Sequence, residues 1–246
     1  MGKARKATEL LLSGEIAVLF RKIYSDIAAK MTDLPPSFRG ILANECLYKL
    51  LNDYEFKTIL DVGAGPGKQA DIFLSSGKHV TAIDRSNSDY FKRNINTNNL
   101  EIVGNDYVNH SFNKKFECIW CSHTLEHVSN PNIFLTKLFD DLMEGGILAI
   151  TVPSEYHRVE SGHVNIYSAG HLLYQLITAG FDCSDASVKT YGYNISIIVR
   201  KKSIVDGSQE LIKNLSKYFP KSTKFLNVHN GSDYHFKAKI KELNWD

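Results

Sequence analysis

The sequence predicts an α/β fold: a doubly wound, mostly parallel seven-stranded sheet that ends in an antiparallel hairpin, with additional helices at the N-terminus. Three observations carry this. Short apolar runs alternate with helical stretches from residue 55 onward, the pattern of a parallel sheet covered on both faces. The first of these runs passes through a glycine-rich turn straight into a helix. The last two runs are joined by Lys189-Thr-Tyr-Gly192 rather than by a helix, which makes them a hairpin at the sheet edge.

The elements follow in order. Ala4 to Lys30 carries apolar residues at helical spacing with basic residues between them. Leu34-Pro35-Pro36 breaks that helix, and Ser37 is placed to cap a second one running to about Asp53. Strands are expected at Thr58–Val62, His79–Ile83, Glu101–Val103, Phe116–Cys121 and Ile147–Val152. Between them Lys68–Ser76 and Pro131–Met143 read as helices, the latter capped by Ser129 or Asn130 and stopped by Gly145-Gly146. Ala169–Ala179 is the next helix, Phe181–Val188 and Asn194–Arg200 form the hairpin, and Gly207–Tyr218 offers a further helix. The chain thus divides into a helical cap over 1–54, a core over 55–201 and an extension over 202–246.

A chain of 246 residues can bury one sizeable core, and its net charge of +2 argues against a broad basic surface for nucleic acid. The basic start and the apolar run Leu10–Phe20 suggest a secretion signal. However, Glu9, Gly14 and Glu15 interrupt the pattern and no small-residue cleavage site follows. Gly2 lacks the Ser or Thr that myristoylation needs, and no stretch approaches bilayer length. The expectation is a cytoplasmic protein with no stable membrane insertion. The first helix is left as a membrane-surface contact, a homodimer contact or a cap over the site.

Four scattered cysteines suit a reducing compartment. Cys118-Ile-Trp-Cys121 has redox or zinc spelling, but in a strand side chains three apart face opposite ways, so the thiols cannot share a metal. No metal site is expected.

The glycine loop Asp61-Val-Gly-Ala-Gly-Pro-Gly67 lets a ligand approach bare backbone, and the helix after it points amides into the turn. Its spacing fails a P-loop, because Gly67-Lys68 is followed by Gln69. It also fails the nicotinamide fingerprint, which would put Lys68 at the third glycine. Ile59-Leu-Asp-Val-Gly-Ala-Gly-Pro-Gly67 resembles instead the first motif of class I methyltransferases that use S-adenosylmethionine (SAM). Cys121-Ser-His-Thr-Leu-Glu-His-Val128, Leu142-Met-Glu-Gly-Gly146 and His163-Val-Asn-Ile-Tyr-Ser168 extend the resemblance in order over residues 55–200. It implies a Rossmann-like fold, SAM as cofactor and S-adenosylhomocysteine as product. It also implies cofactor contacts from Asp61, Gly63, Ala64, Gly65 and Gly67, from Asp84 to the ribose with Arg85 beside it, and from Asn105, Asp106 and Tyr107 to adenine. Cys121 and His127 complete that set.

A hydroxyl or protonated amine acceptor must lose a proton, and histidine is the usual base near neutral pH. His123, after the fourth strand, and His163, after the fifth, are the catalytic candidates; Tyr156, His157 and Tyr167 are expected to line the acceptor pocket. The Asn/Asp-Pro-Pro-Tyr/Phe sequence of base and amide methylating enzymes is absent, and Cys121-Ser-His-Thr stands in its place. The metal-binding acids of catechol-type enzymes have no counterpart either. The N-terminal helices resemble caps of methyltransferases in bacterial surface-glycan pathways, which implies a saccharide, or its phosphate-bearing derivative, methylated on O or N. Two other readings stay open: a SAM-binding protein without catalysis, and a nicotinamide-dependent reductase.

Overall fold

The computed structural model describes residues 34–85, 98–154, 160–204, 211, 214–227, 236–238, 240 and 242–245. The first expected helix, Ala4–Lys30, lies outside them, as do Tyr156 and His157. Strands are β1 (Thr58–Val62), β2 (His79–Asp84), β3 (Leu100–Gly104), β4 (Phe116–Ser122), β5 (Leu142–Pro153), β6 (Ser187–Tyr191), β7 (Asn194–Arg200), β8 (Phe225–Asn227), β9 (Phe236–Ala238) and β10 (Glu242–Leu243). Helices are α1 (Asn44–Asp53), α2 (Lys68–Ser75), α3 (Pro131–Asp141) and α4 (Ala169–Thr178).

Eight strands form one sheet in the order β10-β6-β7-β5-β4-β1-β2-β3. Pairing is parallel from β3 through β5 and antiparallel where β7, β6 and β10 join. The expected architecture is present, widened by one edge strand from the C-terminus. Strands β8 and β9 pair separately as an antiparallel ribbon.

Period-two alternation divides the strands between two cores. Leu60, Val62, Ile119, Cys121, Leu148 and Ile150 pack on the face covered by α3 and α4. Ile59, Cys118, Trp120, Ile147 and Ala149 pack on the other, against α1 and α2. Cys118 and Cys121 therefore fall on opposite faces, both free and buried, as the strand reading requires.

Three boundaries differ from expectation, each for an identifiable reason. The second helix begins at Asn44 rather than Ser37: Pro36–Phe38 forms a single 3₁₀ turn, and Ala43 sits in the left-handed region at φ 57° before α1 starts. Helix α3 stops at Asp141, short of Met143, and the chain passes directly into β5. The stop comes from Lys201, whose Nζ donates to the carbonyls of Phe139 (2.6 Å) and Leu142 (3.1 Å). Gly145-Gly146 is instead a bulge, visible as the register shift between Phe116↔Leu142 and Cys118↔Ile147. The sixth strand begins at Ser187, because the Asp182 carboxylate accepts the Ser184 amide (2.9 Å) and turns the chain away from the sheet. Phe181 keeps only an isolated bridge to Ser203. Of the expected Gly207–Tyr218 helix, the described part is a 3₁₀ turn over Leu215–Tyr218.

Candidate active site

Strand order reverses at β1, whose neighbours β2 and β4 lead to opposite edges. Ligands of open α/β sheets bind beyond the carboxyl ends of the strands at such a point. The glycine loop leaves β1 there. Gly63 and Ala64 donate amides to the Ile83 carbonyl (2.9 and 3.3 Å), fastening the loop to β2. Gly63 has φ 77°, and a Cβ on it would run into the Thr124 hydroxyl. That hydroxyl donates to the Val62 carbonyl at 3.1 Å, so the loops after β1 and β4 touch only because residue 63 has no side chain. Gly65 and Gly67 also have positive φ, 52° and 76°, and Gly67 immediately precedes α2.

Asp84 ends β2 and accepts the Gly65 amide at 2.6 Å. Asp61 is buried between β2 and β4, opposite Ala82 and Trp120, and its Oδ2 has no hydrogen-bond partner. Burial, reinforced by the negative charge of Asp84, pushes its carboxyl up to about 7. Asp106 is committed within its own loop: Oδ1 accepts the Val108 amide (3.0 Å) and Oδ2 receives Arg85 at 3.1 and 2.7 Å. The Asn105 side chain accepts the Asp106 amide at 2.8 Å. Tyr107, expected beside adenine, is a core residue. Its hydroxyl donates to Asp141 (2.8 Å) and its ring packs edge-on to Phe134, because the 3₁₀ turn from Tyr107 points it inward. Cys121 lies fully buried at the end of β4, and burial holds its thiol well above the usual range.

The residues expected to meet the acceptor lie in and beside the loops after β4 and β5. His123 has φ 53°; its ring stacks on Tyr193 (5.7 Å between centroids), Nε2 lies 2.8 Å from Asn194 Oδ1 and Nδ1 lies 3.3 Å from Glu126 Oε1. Nε2 is thus engaged, and Nδ1 stands beside the carboxylate without a hydrogen bond to it. His163 meets His127 edge-on at 4.9 Å, and its Nδ1 lies 3.9 Å from Glu160 Oε2, which receives the Tyr193 hydroxyl at 2.7 Å. Glu126, part of the Cys121–Val128 motif but given no site role in the sequence reading, is 1% exposed at the centre of this cluster, and neither carboxylate oxygen has a hydrogen-bond partner. Tyr167, expected to line the pocket, is fully buried and stacked on His171; burial and the charge of Glu126 raise its phenol. One grouping has ligand atoms suited to a cation: those of Glu126, His127 and His163 lie within 4.8 Å of one another.

Buried polar atoms without partners gather here. Asp61 Oδ2, Ser122 Oγ, both Glu126 oxygens and the Tyr167 hydroxyl all sit near the ends of β1 and β4. Native interiors satisfy such groups, so their clustering marks a place where ligand atoms belong. A loop that no side chain can fill, beside a buried acid and a half-buried one, fits an adenosyl compound carrying positive charge.

The fold and this loop define a methyltransferase of the SAM-dependent class. The methyltransferase domain model matches residues 37–185, and the chain belongs to that family. It is 32% identical over 120 residues to the ubiquinone biosynthesis O-methyltransferase of Rickettsia canadensis (strain McKiel), covering 46% of this chain and 48% of that one. The chain thus spans about half the length of this curated relative. In fold it resembles the Burkholderia thailandensis 1,6-didemethyltoxoflavin-N1-methyltransferase, solved with its substrate and S-adenosylhomocysteine. That likeness has a TM-score of 0.56 at 17% identity and covers 77% of this chain and 90% of that one. It also resembles the N-methyltransferase NodS of Bradyrhizobium japonicum WM9, with a TM-score of 0.54 at 15% identity, covering 65% of this chain and 93% of that one. At these identities the two structures speak for the fold alone. Among the described residues no helix is long and apolar enough to cross a membrane.

Proposed function

We propose that this chain transfers the methyl group of SAM to a hydroxyl oxygen of a small polar acceptor held beyond the ends of β4 and β5. The observation that carries this is the buried, unpartnered Glu126 inside a ring of histidines, joined to the glycine loop through Thr124. A hydroxyl entering that ring meets acceptors for its proton on two sides. Oxygen, rather than nitrogen, is also the acceptor named for the Rickettsia relative.

The bound cofactor supplies an electrophilic methyl on a sulfonium, whose sulfur leaves neutral, so the protein need not stabilise a developing anion there. Its own residues do three things. The glycine loop and Asp84 hold the adenosyl part, Glu126 and Glu160 orient the imidazoles, and a ring nitrogen takes the acceptor proton as the oxygen closes on the methyl. Proximity supplies most of the acceleration. Of the two candidate bases, His163 is the better placed, because Asn194 occupies Nε2 of His123 and its Nδ1 lies 3.3 Å from the buried Glu126. His123 acts as a wall that Tyr193 and Asn194 fix. Glu126 and Glu160 favour a neutral hydroxylated end of the acceptor over a phosphate; a saccharide hydroxyl and a phenol both satisfy this.

The test is transfer of labelled methyl from SAM to a panel of sugars, nucleotide-sugars and phenols, with SAM affinity measured alongside. His163→Ala is expected to lower kcat by at least about a hundredfold with SAM binding intact. Unchanged turnover would remove His163 from the chemistry. SAM binding with no methylated acceptor would leave a binding protein without catalysis.

A further inference from the structure

We propose that Glu126, His127 and His163 bind a divalent transition-metal cation at the floor of the acceptor pocket. The inference rests on the reading of a hydroxyl acceptor held beyond β4 and β5 and reassigns His163 from base to ligand, since the cation would hold the acceptor's oxygen.

The tautomer of His127 is the first argument. Its Nδ1 lies 2.8 Å from the Gly162 carbonyl, which can only accept, so Nδ1 carries a proton and, in the neutral ring, Nε2 presents a lone pair. A histidine whose second nitrogen is tied to a backbone carbonyl is the usual arrangement of a metal ligand. Gly162, at φ 81°, permits the approach: a Cβ there would stand 3.2 Å from that same Nδ1.

The second argument is Glu126. His127 Nε2 lies 3.9 Å from Glu126 Oε1, so with the ring neutral two electron-rich atoms stand close together where an exposed imidazole meets a buried carboxylate. Neither Glu126 oxygen receives a hydrogen bond, and the residue is 1% exposed. A buried carboxylate in that position calls for positive charge. Bonds of about 2.0–2.2 Å from one cation to each atom span the gap.

The cluster is also held in place without the cation. The Val164 and Asn165 amides donate to the Glu126 carbonyl (2.9 and 3.2 Å), and Asn165 Nδ2 donates to the Val128 carbonyl at 2.7 Å. These bonds bring His163, from the loop after β5, beside two residues of the loop after β4. One carboxylate and two imidazoles suit zinc, manganese, iron, cobalt or nickel better than magnesium or calcium, which prefer all-oxygen sets. Three protein ligands leave positions open. An acceptor hydroxyl bound there would release its proton to solvent. The oxygen would then form its bond to the methyl carbon while the carbon–sulfur bond breaks and its electron pair stays on sulfur. The cation is unchanged, and His163 then serves as ligand while the metal acidifies the hydroxyl.

The alternative is a metal-free ion pair between Glu126 and the imidazolium of His123 or His127, whose nitrogens lie 3.3 and 3.9 Å away. Tag-free full chain, stripped with chelator, separates the two when titrated with Zn²⁺ and Co²⁺ by calorimetry, elemental analysis and cobalt absorption. The expected result is about one equivalent bound, weakened at least about tenfold by Glu126→Gln and by His163→Ala but not by His171→Gln. Thermal unfolding and SAM titration of each variant confirm that it is folded. Stoichiometry well below one in wild type that binds SAM, or full retention in both variants, overturns the site and returns the proton to His163. A bound cation whose removal leaves acceptor methylation unchanged overturns its catalytic role. A cation bound with no hydroxyl acceptor found supports the site and counts against the acceptor reading instead.

Discussion

The Gly65 amide lies 2.6 Å from the Asp84 carboxylate, which ties the turn after β1 to the tip of β2 within the protein itself. Asp84 therefore presents a carboxylate with one oxygen held by the loop. Replacing it with Ala removes a charge-assisted acceptor worth about 1.5–3 kcal/mol, or roughly 10- to 150-fold in SAM affinity. Asp84→Asn keeps one acceptor and should fall between the two. Calorimetric titration checks this, and affinities matching wild type would detach Asp84 from the ribose.

Gly63 and Thr124 form a second coupled pair. Gly63→Ala places a methyl group against the Thr124 hydroxyl at a residue with φ 77°. The backbone term alone costs about 1–2 kcal/mol, and the displaced loop should lose measurable SAM binding. Thr124→Ala removes the colliding oxygen, so Gly63→Ala/Thr124→Ala should recover part of both losses. A double-mutant cycle reads that recovery as coupling. Additive losses would mean that the two loops do not meet as described.

Much of this arrangement could be read from the sequence, because it depends on local chemistry. The strand-turn-helix around Gly63–Gly67, the acid at the end of β2 and the mostly parallel sheet closing in an antiparallel hairpin follow from periodicity and glycine spacing. Other features were hidden by distance along the chain. The end of α3 depends on Lys201, some sixty residues on. The grouping of Glu126 and His127 with His163 and Gly162 depends on the loop after β5. Tyr107 and Tyr167 were placed at the site by their positions beside it, yet both rings turn inward and help fill the core, where aromatic area counts most.

Arg85 and Asp106 provide a contrast in scale. The pair is short, 2.7 Å, but the arginine side chain is 80% exposed, so solvent screens it. Arg85→Gln should change folding stability by no more than about 1 kcal/mol. Asp106→Ala also removes the acceptor of the Val108 amide, so its melting temperature should drop further than that of Arg85→Gln. Thermal denaturation of both variants decides this. Equal small shifts would show that the turn does not rely on the Asp106 side chain.

Asp61 makes the site sensitive to pH. In the unfolded chain its carboxyl titrates near 3.8, whereas burial and Asp84 push it up to about 7 in the folded protein. Between those values the folded chain holds a proton that the unfolded chain has released. Its contribution to stability therefore declines as pH rises through that window and levels off above it. A cationic ligand beside Asp61 favours the charged carboxylate, so SAM affinity should move the other way, rising with pH to about 7 and then levelling, with proton release on binding below that point. Asp61→Asn should flatten both profiles, stabilise the ligand-free protein at neutral pH and weaken SAM binding. Titrations at several pH values, in buffers of different ionisation heat, measure the released protons directly. The same pH slope in Asp61→Asn would assign the titration to another group.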